Sequence, residues 1–232
     1  MPNHVKNRIK IVGTIKEVEE VFNRFNTHIP AKVDRSIENN IICESDNSYG
    51  WFNERTCVFS RRMEEDVIGI PEWFEIRVSQ PIDCFPDFEK VIPTPENLFR
   101  GDLGEKERRE CKKKGVPNWY DWCVENWETK WNCYSCKRET FNVFTFETAW
   151  SPVLKIVETM ADEFPHIGFK YEWADEDTGY NCGKCSFLNG NKKLKVCENG
   201  STDAYELAFK LRPDYRDYYE LGDDGQYHLK ED

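Results

Sequence analysis

The sequence predicts an α+β fold in which helices cover one face of an antiparallel sheet. Three observations predict it: a strand followed by a helix at the start of the chain, the order helix, strand, strand, helix, strand, strand from Asn118 onward, and a hairpin signal at Asn189-Gly190. The chain has 232 residues, of which 39% are hydrophobic and 14% aromatic. It can therefore bury a sizeable core, as one large domain or two small ones.

The start of the chain has the signals of an N-terminal α+β lobe. Apolar and basic residues alternate from Val5 to Gly13, as in a half-buried strand. Thr14 and Glu17 have the spacing of a capping box, and apolar residues then recur at helical spacing as far as Phe25. Residues 30–70 have weak periodicity and are expected to be irregular with short strands or helices. Residues 73–79 alternate again, which predicts another strand.

A charged segment interrupted by glycines follows this lobe and suggests a domain boundary. Beyond it lie the helices and strands of the second half, and the last twenty residues are rich in tyrosine and acid, so we expect them to fray. The predicted division is an N-terminal α+β lobe over residues 1–100, a charged linker or loop over 101–116, the main α+β domain over 117–212, and an acidic, tyrosine-rich tail over 213–232.

The elements of the main domain have local signals of their own. Asn118 is suited to cap a first helix, and Ser151 can cap a second helix that has Pro152 in its first turn. Alternation and apolar runs indicate the strands, two of which are joined by a type I′ turn at Asn189-Gly190. These strands are expected over residues 132–138, 141–147, 169–173, 185–188 and 193–197.

Four of the eight tryptophans lie within the fifteen residues from Asn118 to Asn132. Three other fragments accompany this block in a fixed order: Asn7 to Gly13, Phe88 to Glu96 and Thr148 to Pro152. Together they resemble the signature of the YubB-like proteins, a ferredoxin-like domain family of phages and conjugative plasmids whose function is unassigned. The sequence departs from that family at Glu128, where glycine is usual, and at Val153, where a second proline is usual.

The resemblance implies a ferredoxin-like sheet in a protein carried by a mobile element, and such accessory genes often manage host defence or host expression. The chain has no run of about 18 apolar residues and no apolar stretch at its start, so we expect no membrane partner. A cytoplasmic location is expected, which is the host cytoplasm if a phage encodes the protein. Its oligomeric state is left open.

Two cysteine pairs make zinc a candidate cofactor. In a reducing cytoplasm paired thiols are read as metal ligands, and Cys133 with Cys136 and Cys182 with Cys185 could close a tetrahedral thiolate site. Alternation along a strand opposes this, since residues three apart face opposite sides unless a knuckle intervenes. Gly183 would permit such a knuckle, whereas Tyr134-Ser135 suits it less. The alternative is that these cysteines are small core residues.

No catalytic site is predicted. The four histidines have no metal-ligand spacing and no obvious nucleophile partner, and the sequence has no glycine-rich phosphate loop. The acidic runs at 162–163 and 175–177 are typical of solvated turns and helix ends. We therefore expect a binding protein and not an enzyme.

The predicted sheet could bind RNA on its strands. A sheet of this type stacks bases in RNA-recognition domains, and some aromatic strand residues should face outward beside basic residues. The net charge of −11 confines any such contact to a local patch. The candidate rings are Tyr134, Phe144, Phe146, Tyr171 and Trp173, and the candidate cations are Lys130, Lys137, Arg138, Lys170 and Lys184.

These features favour a mobile-element accessory protein that counters or regulates a host defence system, in the manner of an anti-CRISPR, by binding RNA or a ribonucleoprotein. The alternative is an acidic inhibitor that binds a host defence protein directly, since a surplus of carboxylates complements a basic target. A zinc-stabilised or catalytic protein is a third alternative.

Overall fold

The computed structural model describes residues 3–29, 33–34, 50–53, 58–62, 73–78 and 82–230. The chain forms two compact units, one built from Met1–Thr27 with Cys84–Asp232 and the other from His28–Asp83. Most of the predicted irregular region 30–70 lies outside the described residues. The strand predicted over residues 73–79 is confirmed as Trp73–Val78.

The smaller unit contains a four-stranded antiparallel sheet in the order β3-β6-β5-β4. A separate two-stranded sheet pairs β2 with β7, close to the points where the chain enters and leaves this unit. The strands are β2 (Thr27–Ile29), β3 (Val33–Asp34), β4 (Gly50–Asn53), β5 (Val58–Arg62), β6 (Trp73–Val78) and β7 (Ile82–Cys84).

The larger unit contains a six-stranded sheet in the order β12-β11-β10-β1-β9-β8, in which every pair of neighbours is antiparallel. A final hairpin, β13 with β14, follows a short 3-10 helix at Pro213–Tyr218. The strands are β1 (His4–Val12), β8 (Tyr134–Thr140), β9 (Val143–Ala149), β10 (Gly168–Asp175), β11 (Gly183–Leu188), β12 (Asn191–Val196), β13 (Tyr219–Leu221) and β14 (Tyr227–Leu229). The helices are α1 (Ile15–Phe25), α2 (Phe88–Val91), α3 (Glu105–Lys114), α4 (Trp119–Trp127), α5 (Leu154–Glu163) and α6 (Thr202–Leu211).

The α+β class and the antiparallel sheet are confirmed. So are the capping box of α1 and the cap of α4, in which the Asn118 side chain accepts from the Asp121 amide. The hairpin turn also has the predicted form, because Asn189 and Gly190 both have positive φ. Among the described residues, no helix combines the length and the apolar character needed to cross a membrane.

Helix α5 begins later than its caps suggest. Its N-cap is Val153 and not Ser151, and its first helical residue is Leu154. The Val153 amide donates to the hydroxyl of Tyr171 at 2.8 Å, so a tertiary contact replaces the expected side-chain cap. The position of the helix start is therefore set by a strand that comes later in the chain.

A buried polar network ties the central strands to this helix. The Tyr171 hydroxyl donates to Asn7 Oδ1 at 2.6 Å, and the Asn7 side-chain amide donates to Thr148 Oγ1 at 2.9 Å. Asn7, Thr148 and Tyr171 are all fully buried. Since buried polar groups without partners are costly, this network favours one register for β1, β9 and β10.

The structure corrects the predicted division of the chain. Strand β1 lies between β9 and β10, so the first residues and the second half share one sheet and one core. Residues 101–116, expected as a linker or loop, contain helix α3, which ends at Gly115 in the left-handed conformation. The expected tail also forms structure, because Tyr219 and Tyr227 of its hairpin pack their rings against Tyr205 of α6.

Helices lie on both faces of the sheet, whereas the sequence predicted one face only. Tyr171 on one face binds the start of α5. Ala174, which has the opposite parity on β10, packs in a cluster with Ala204 and Ala208 of α6. The apolar face of α6 covers one end of the second face of the sheet and leaves the other end uncovered by this helix.

The polar network predicts that Tyr171→Phe destabilises the protein. The change leaves Asn7 Oδ1 and the Val153 amide without this partner in a buried site, so the free energy of unfolding should fall by about 2 kcal/mol or more. Urea unfolding measures this.

Tyr134→Phe is the matched control, because the Tyr134 hydroxyl bonds His4 Nδ1 at a partly exposed position. Its loss should stay below about 1 kcal/mol. Equal losses for the two variants would show that the network does not organise the core.

Candidate functional site

Three cysteines from two distant parts of the chain come together in the larger unit. Cys84 ends β7, Cys133 directly precedes β8, and Cys136 lies in β8. Their Sγ atoms all lie within 4.8 Å of one another. The Cys133–Cys136 distance is 3.3 Å and the Cys84–Cys133 distance is 3.6 Å. We call Cys84, Cys133 and Cys136 the thiol cluster.

An irregularity in β8 brings Cys133 and Cys136 to one side. Ser135 has φ of 52°, and the pairing of β8 with β9 shifts register between Tyr134 and Lys137. Such a bulge cancels the alternation that would otherwise separate residues three apart. The expectation that Tyr134-Ser135 suits a knuckle poorly is therefore wrong, because Ser135 adopts the left-handed conformation.

The thiol cluster has the character of a site for a soft metal ion. Cys84 and Cys133 are buried and Cys136 is partly exposed. Hydrogen bonds from Cys133 and Cys84 lower the pKa of Cys136 to about 4, while burial raises the pKa of Cys133. Sulfurs about 2.3 Å from a tetrahedral metal ion lie about 3.8 Å apart, close to the spacing seen here. The cluster could hold a metal ion through three sulfurs.

The second predicted cysteine pair lies elsewhere. Cys182 is buried in the cluster that α6 forms with Ala174 and Cys197, and burial raises its pKa to about 12. Cys185 lies opposite Tyr171, on the face of the sheet that α5 covers. Cys182 and Cys185 are therefore core residues, and the structure does not join them to Cys133 and Cys136. The sequence did not identify Cys84 as a partner of Cys133, because the two residues are 49 positions apart and no local motif connects them.

Gly183 has a packing role in place of the expected knuckle. The ring of Trp173 lies directly over it, and a Cβ at this position would come within 2.2 Å of that ring. A side chain there would therefore collide with the indole of the neighbouring strand.

Most of the rings proposed to stack bases are inside the core. Phe144, Phe146, Tyr171 and Trp173 are each at most 2% exposed. Phe144 and Phe146 lie opposite Ile9 and Asn7 of β1, on the face that α1 and α5 cover. Only Tyr134 is partly exposed, and it bonds His4. The prediction that rings on this sheet form a stacking surface is therefore wrong for Phe144, Phe146, Tyr171 and Trp173, because their side chains point to the buried face.

The predicted cations have diverse surroundings. Lys130 lies over the rings of Trp131 and Trp150, with Nζ 4.5 Å and 5.3 Å from the two ring centroids. Arg138 forms an ion pair with Glu19 and covers the ring of Phe22. Lys137 is exposed on the edge strand β8, and Lys170 and Lys184 are exposed on β10 and β11.

Lys170 and Lys184 belong to a larger basic surface. On β1, Lys10 has the parity opposite to that of the buried Ile9 and Ile11, and it pairs with Lys170 across the strands. On the same face, Lys170 pairs with Ser186 of β11, and Ser186 pairs with Lys193 of β12. Lys184, one pair further along, lies opposite Lys195. We call Lys10, Lys170, Lys184 and Lys193 the open basic face.

Helix α6 and its neighbours determine which cations stay open. Glu172 binds Arg8 at 2.9 Å and Lys210 at 2.5 Å, and Lys195 pairs with Asp203 of α6. In the part of the chain that the structure describes, Lys10, Lys170 and Lys193 form no ion pair within 4.0 Å. A shallow cavity of about 300 Å³ lies at this surface, lined in part by Lys170, Lys184 and Lys193. The alternation of apolar and basic residues along β1 could have identified Lys10 as part of this basic surface.

Comparison with known proteins concerns the second half of the chain. No curated protein and no solved structure matches. Residues 130–211, less than half of the chain, match a family model described as a ferredoxin-like domain in Api92-like protein. The matched range runs from just before β8 to the end of α6, and β1, which lies outside it, completes the sheet between β9 and β10. Over residues 130–211 the chain is thus similar to this ferredoxin-like domain.

Proposed function

We propose that this protein binds RNA through the open basic face and acts by binding, without catalysis. The observation that supports the proposal is the row of cations across β1, β10 and β12, of which Lys10, Lys170 and Lys193 lack carboxylate partners among the described residues. A net charge of −11 makes an unneutralised basic surface stand out from the rest of the chain. Phosphate groups are the ligands that such a surface suits.

The charges on this face are not explained by stability of the fold. Lys10 lies directly opposite Lys170 on neighbouring antiparallel strands. Like charges at such positions destabilise a sheet, by an amount on the order of 0.2–1 kcal/mol for a pair. A bound polyanion would remove this repulsion, so the arrangement is better suited to ligand binding than to the free protein.

The contact would be mainly with the RNA backbone. Because Phe144, Phe146, Tyr171 and Trp173 are buried, base stacking on the sheet does not contribute. Phosphate contacts carry little sequence information, and their strength depends steeply on salt. We therefore infer modest sequence preference, with selectivity arising from the shape of the RNA or from a protein bound to it.

The biological setting that we propose is a mobile element whose protein counters or regulates a host defence ribonucleoprotein, in the manner of an anti-CRISPR. Support for the setting comes from the ordered fragments that resemble YubB-like proteins of phages and plasmids. Direct inhibition of a host protein by an acidic surface is the rival proposal. The two differ in whether RNA is required for capture of the target.

We also propose that the thiol cluster binds a zinc ion. Three thiolates suit this metal, and the spacing of the sulfurs is close to that of a tetrahedral site. The three residues would supply three ligands and would tie the end of β7 to the start of β8. Bound there, zinc would contribute stability to this junction.

Neutralising two cations of the open basic face should weaken RNA binding and flatten its salt dependence. If the wild-type protein makes four phosphate contacts to single-stranded RNA, a plot of the logarithm of the association constant against the logarithm of the salt concentration should have a slope of about −3. K10Q/K170Q should reduce the magnitude of this slope by about 1.4. Fluorescence anisotropy with a labelled single-stranded RNA between low and moderate salt measures both quantities.

The matched control is K16Q/K106Q, which removes two exposed lysines from α1 and α3 and causes the same change in net charge. It should leave the slope within about 0.3 of the wild-type value. Equal weakening by the two double variants, or no RNA binding by the wild type, would contradict the proposal.

Purified protein should contain one zinc ion per chain under reducing conditions. C84S and C133S should each lose most of it, because two remaining thiolates do not hold the ion tightly. C182S should keep it, since Cys182 lies in a different part of the core. Elemental analysis by mass spectrometry gives the ratio, and equal zinc in C84S and C182S would rule out the thiol cluster.

A further inference from the structure

A cavity of about 550 Å³ lies beside α6 and the C-terminal hairpin. Its lining shares no residue with the thiol cluster or with the open basic face. Aromatic side chains dominate its lining. Four tyrosines contribute, together with a carboxylate and an imidazole: Tyr180, Tyr205, Tyr219, Tyr227, Asp177 and His228. We call these six residues the tyrosine cage.

The cage is built from three parts of the chain. Helix α6 supplies Tyr205, whose ring centroid is 5.3 Å from that of Tyr219 and 5.5 Å from that of Tyr227. Gly179 has φ of 85°, and a Cβ there would lie 2.9 Å from the Tyr205 ring, so only glycine permits this approach. The rings are therefore held in place before any ligand arrives.

The lining favours a positive charge. Burial raises the pKa of Tyr205, and a hydrogen bond to Glu206 raises the pKa of Tyr227, so these rings are neutral near pH 7. The face of a neutral phenol ring attracts cations. Asp177 adds a carboxylate, and the described lining includes neither lysine nor arginine.

The same ring cluster already accommodates one guanidinium group. Arg216 lies 4.8 Å from the centroid of Tyr227 and 5.1 Å from that of Phe209, although it does not line the cavity. The rim is open to a ligand from outside, because the Tyr180 side chain is 50% exposed and Leu229 is 66% exposed. A phosphate would meet Asp177 and the negative ring faces, so nucleic acid is disfavoured here.

We propose that the tyrosine cage binds a lysine or arginine side chain of a basic partner protein. The head group would contact the faces of the tyrosine rings, and Asp177 would neutralise its charge. Complementarity with a chain of net charge −11 favours a basic protein segment as the source of this side chain. The site is independent of RNA binding, and a ribonucleoprotein could occupy both surfaces at once.

The test is an NMR titration of the full chain carrying labelled tyrosine rings. The probes are a short glycine-flanked arginine peptide, its lysine counterpart, and the citrulline counterpart, which keeps the shape of arginine without its charge. Arginine and lysine peptides should shift the ring signals of Tyr180 and Tyr205, and the citrulline peptide should bind at least about threefold more weakly.

Two variants separate the cage from general attraction to an acidic protein. Tyr180→Ala removes a half-exposed ring without changing charge and should weaken binding of the arginine peptide by roughly threefold to tenfold. Tyr218→Ala removes a ring that is 64% exposed and lies outside the cavity lining, and it should leave the affinity unchanged.

Equal effects of the two variants, or equal binding of the arginine and citrulline peptides, would overturn the assignment. So would tighter binding of choline than of either basic peptide, since the cage would then be a site for a free quaternary ammonium ion. The citrulline comparison uses the wild-type protein alone, so the proposal stays testable even if a variant fails to fold.

Discussion

The central position of β1 is the constraint on which the rest of the larger unit depends. Its strict alternation places Asn7, Ile9 and Ile11 against the helices and sends Lys10 to the opposite face. A shift by one residue in its pairing with β9 or β10 would exchange the two faces and bury the cations. The hydrogen bond from Tyr171 to Asn7 fixes the register, so the same contact that completes the core also positions the open basic face.

Both additional sites lie where regular structure is interrupted. The thiol cluster depends on the bulge at Ser135, and the tyrosine cage depends on the left-handed Gly179. In each case a local change of backbone direction brings together residues from distant parts of the sequence. Helix α6 contributes to two of the surfaces, because its Asp203 pairs with Lys195 beside the open basic face and its Tyr205 belongs to the tyrosine cage.

Local patterns in the sequence predicted local structure well. The capping box at Thr14, the Asn118 cap and the Asn189-Gly190 turn are confirmed, since each depends on residues only a few positions apart. What could not be predicted depends on long-range pairing. Alternation showed that Tyr171 and Trp173 share a face, but only the neighbouring strands and helices decide that this face is buried. Cys84 likewise joins Cys133 and Cys136 only through the fold, which brings its sulfur close to theirs from a distant part of the sequence.

Lysine footprinting with and without a single-stranded RNA tests the central claim most directly. Acetylation by a small reagent, read by mass spectrometry, reports the accessibility of every lysine in the same sample. If RNA binds on the uncovered end of the sheet, Lys10, Lys170, Lys184 and Lys193 become protected while the exposed lysines of α1 and α3 do not. Protection confined to α3, or protection spread evenly over all lysines, would contradict an RNA site on this face.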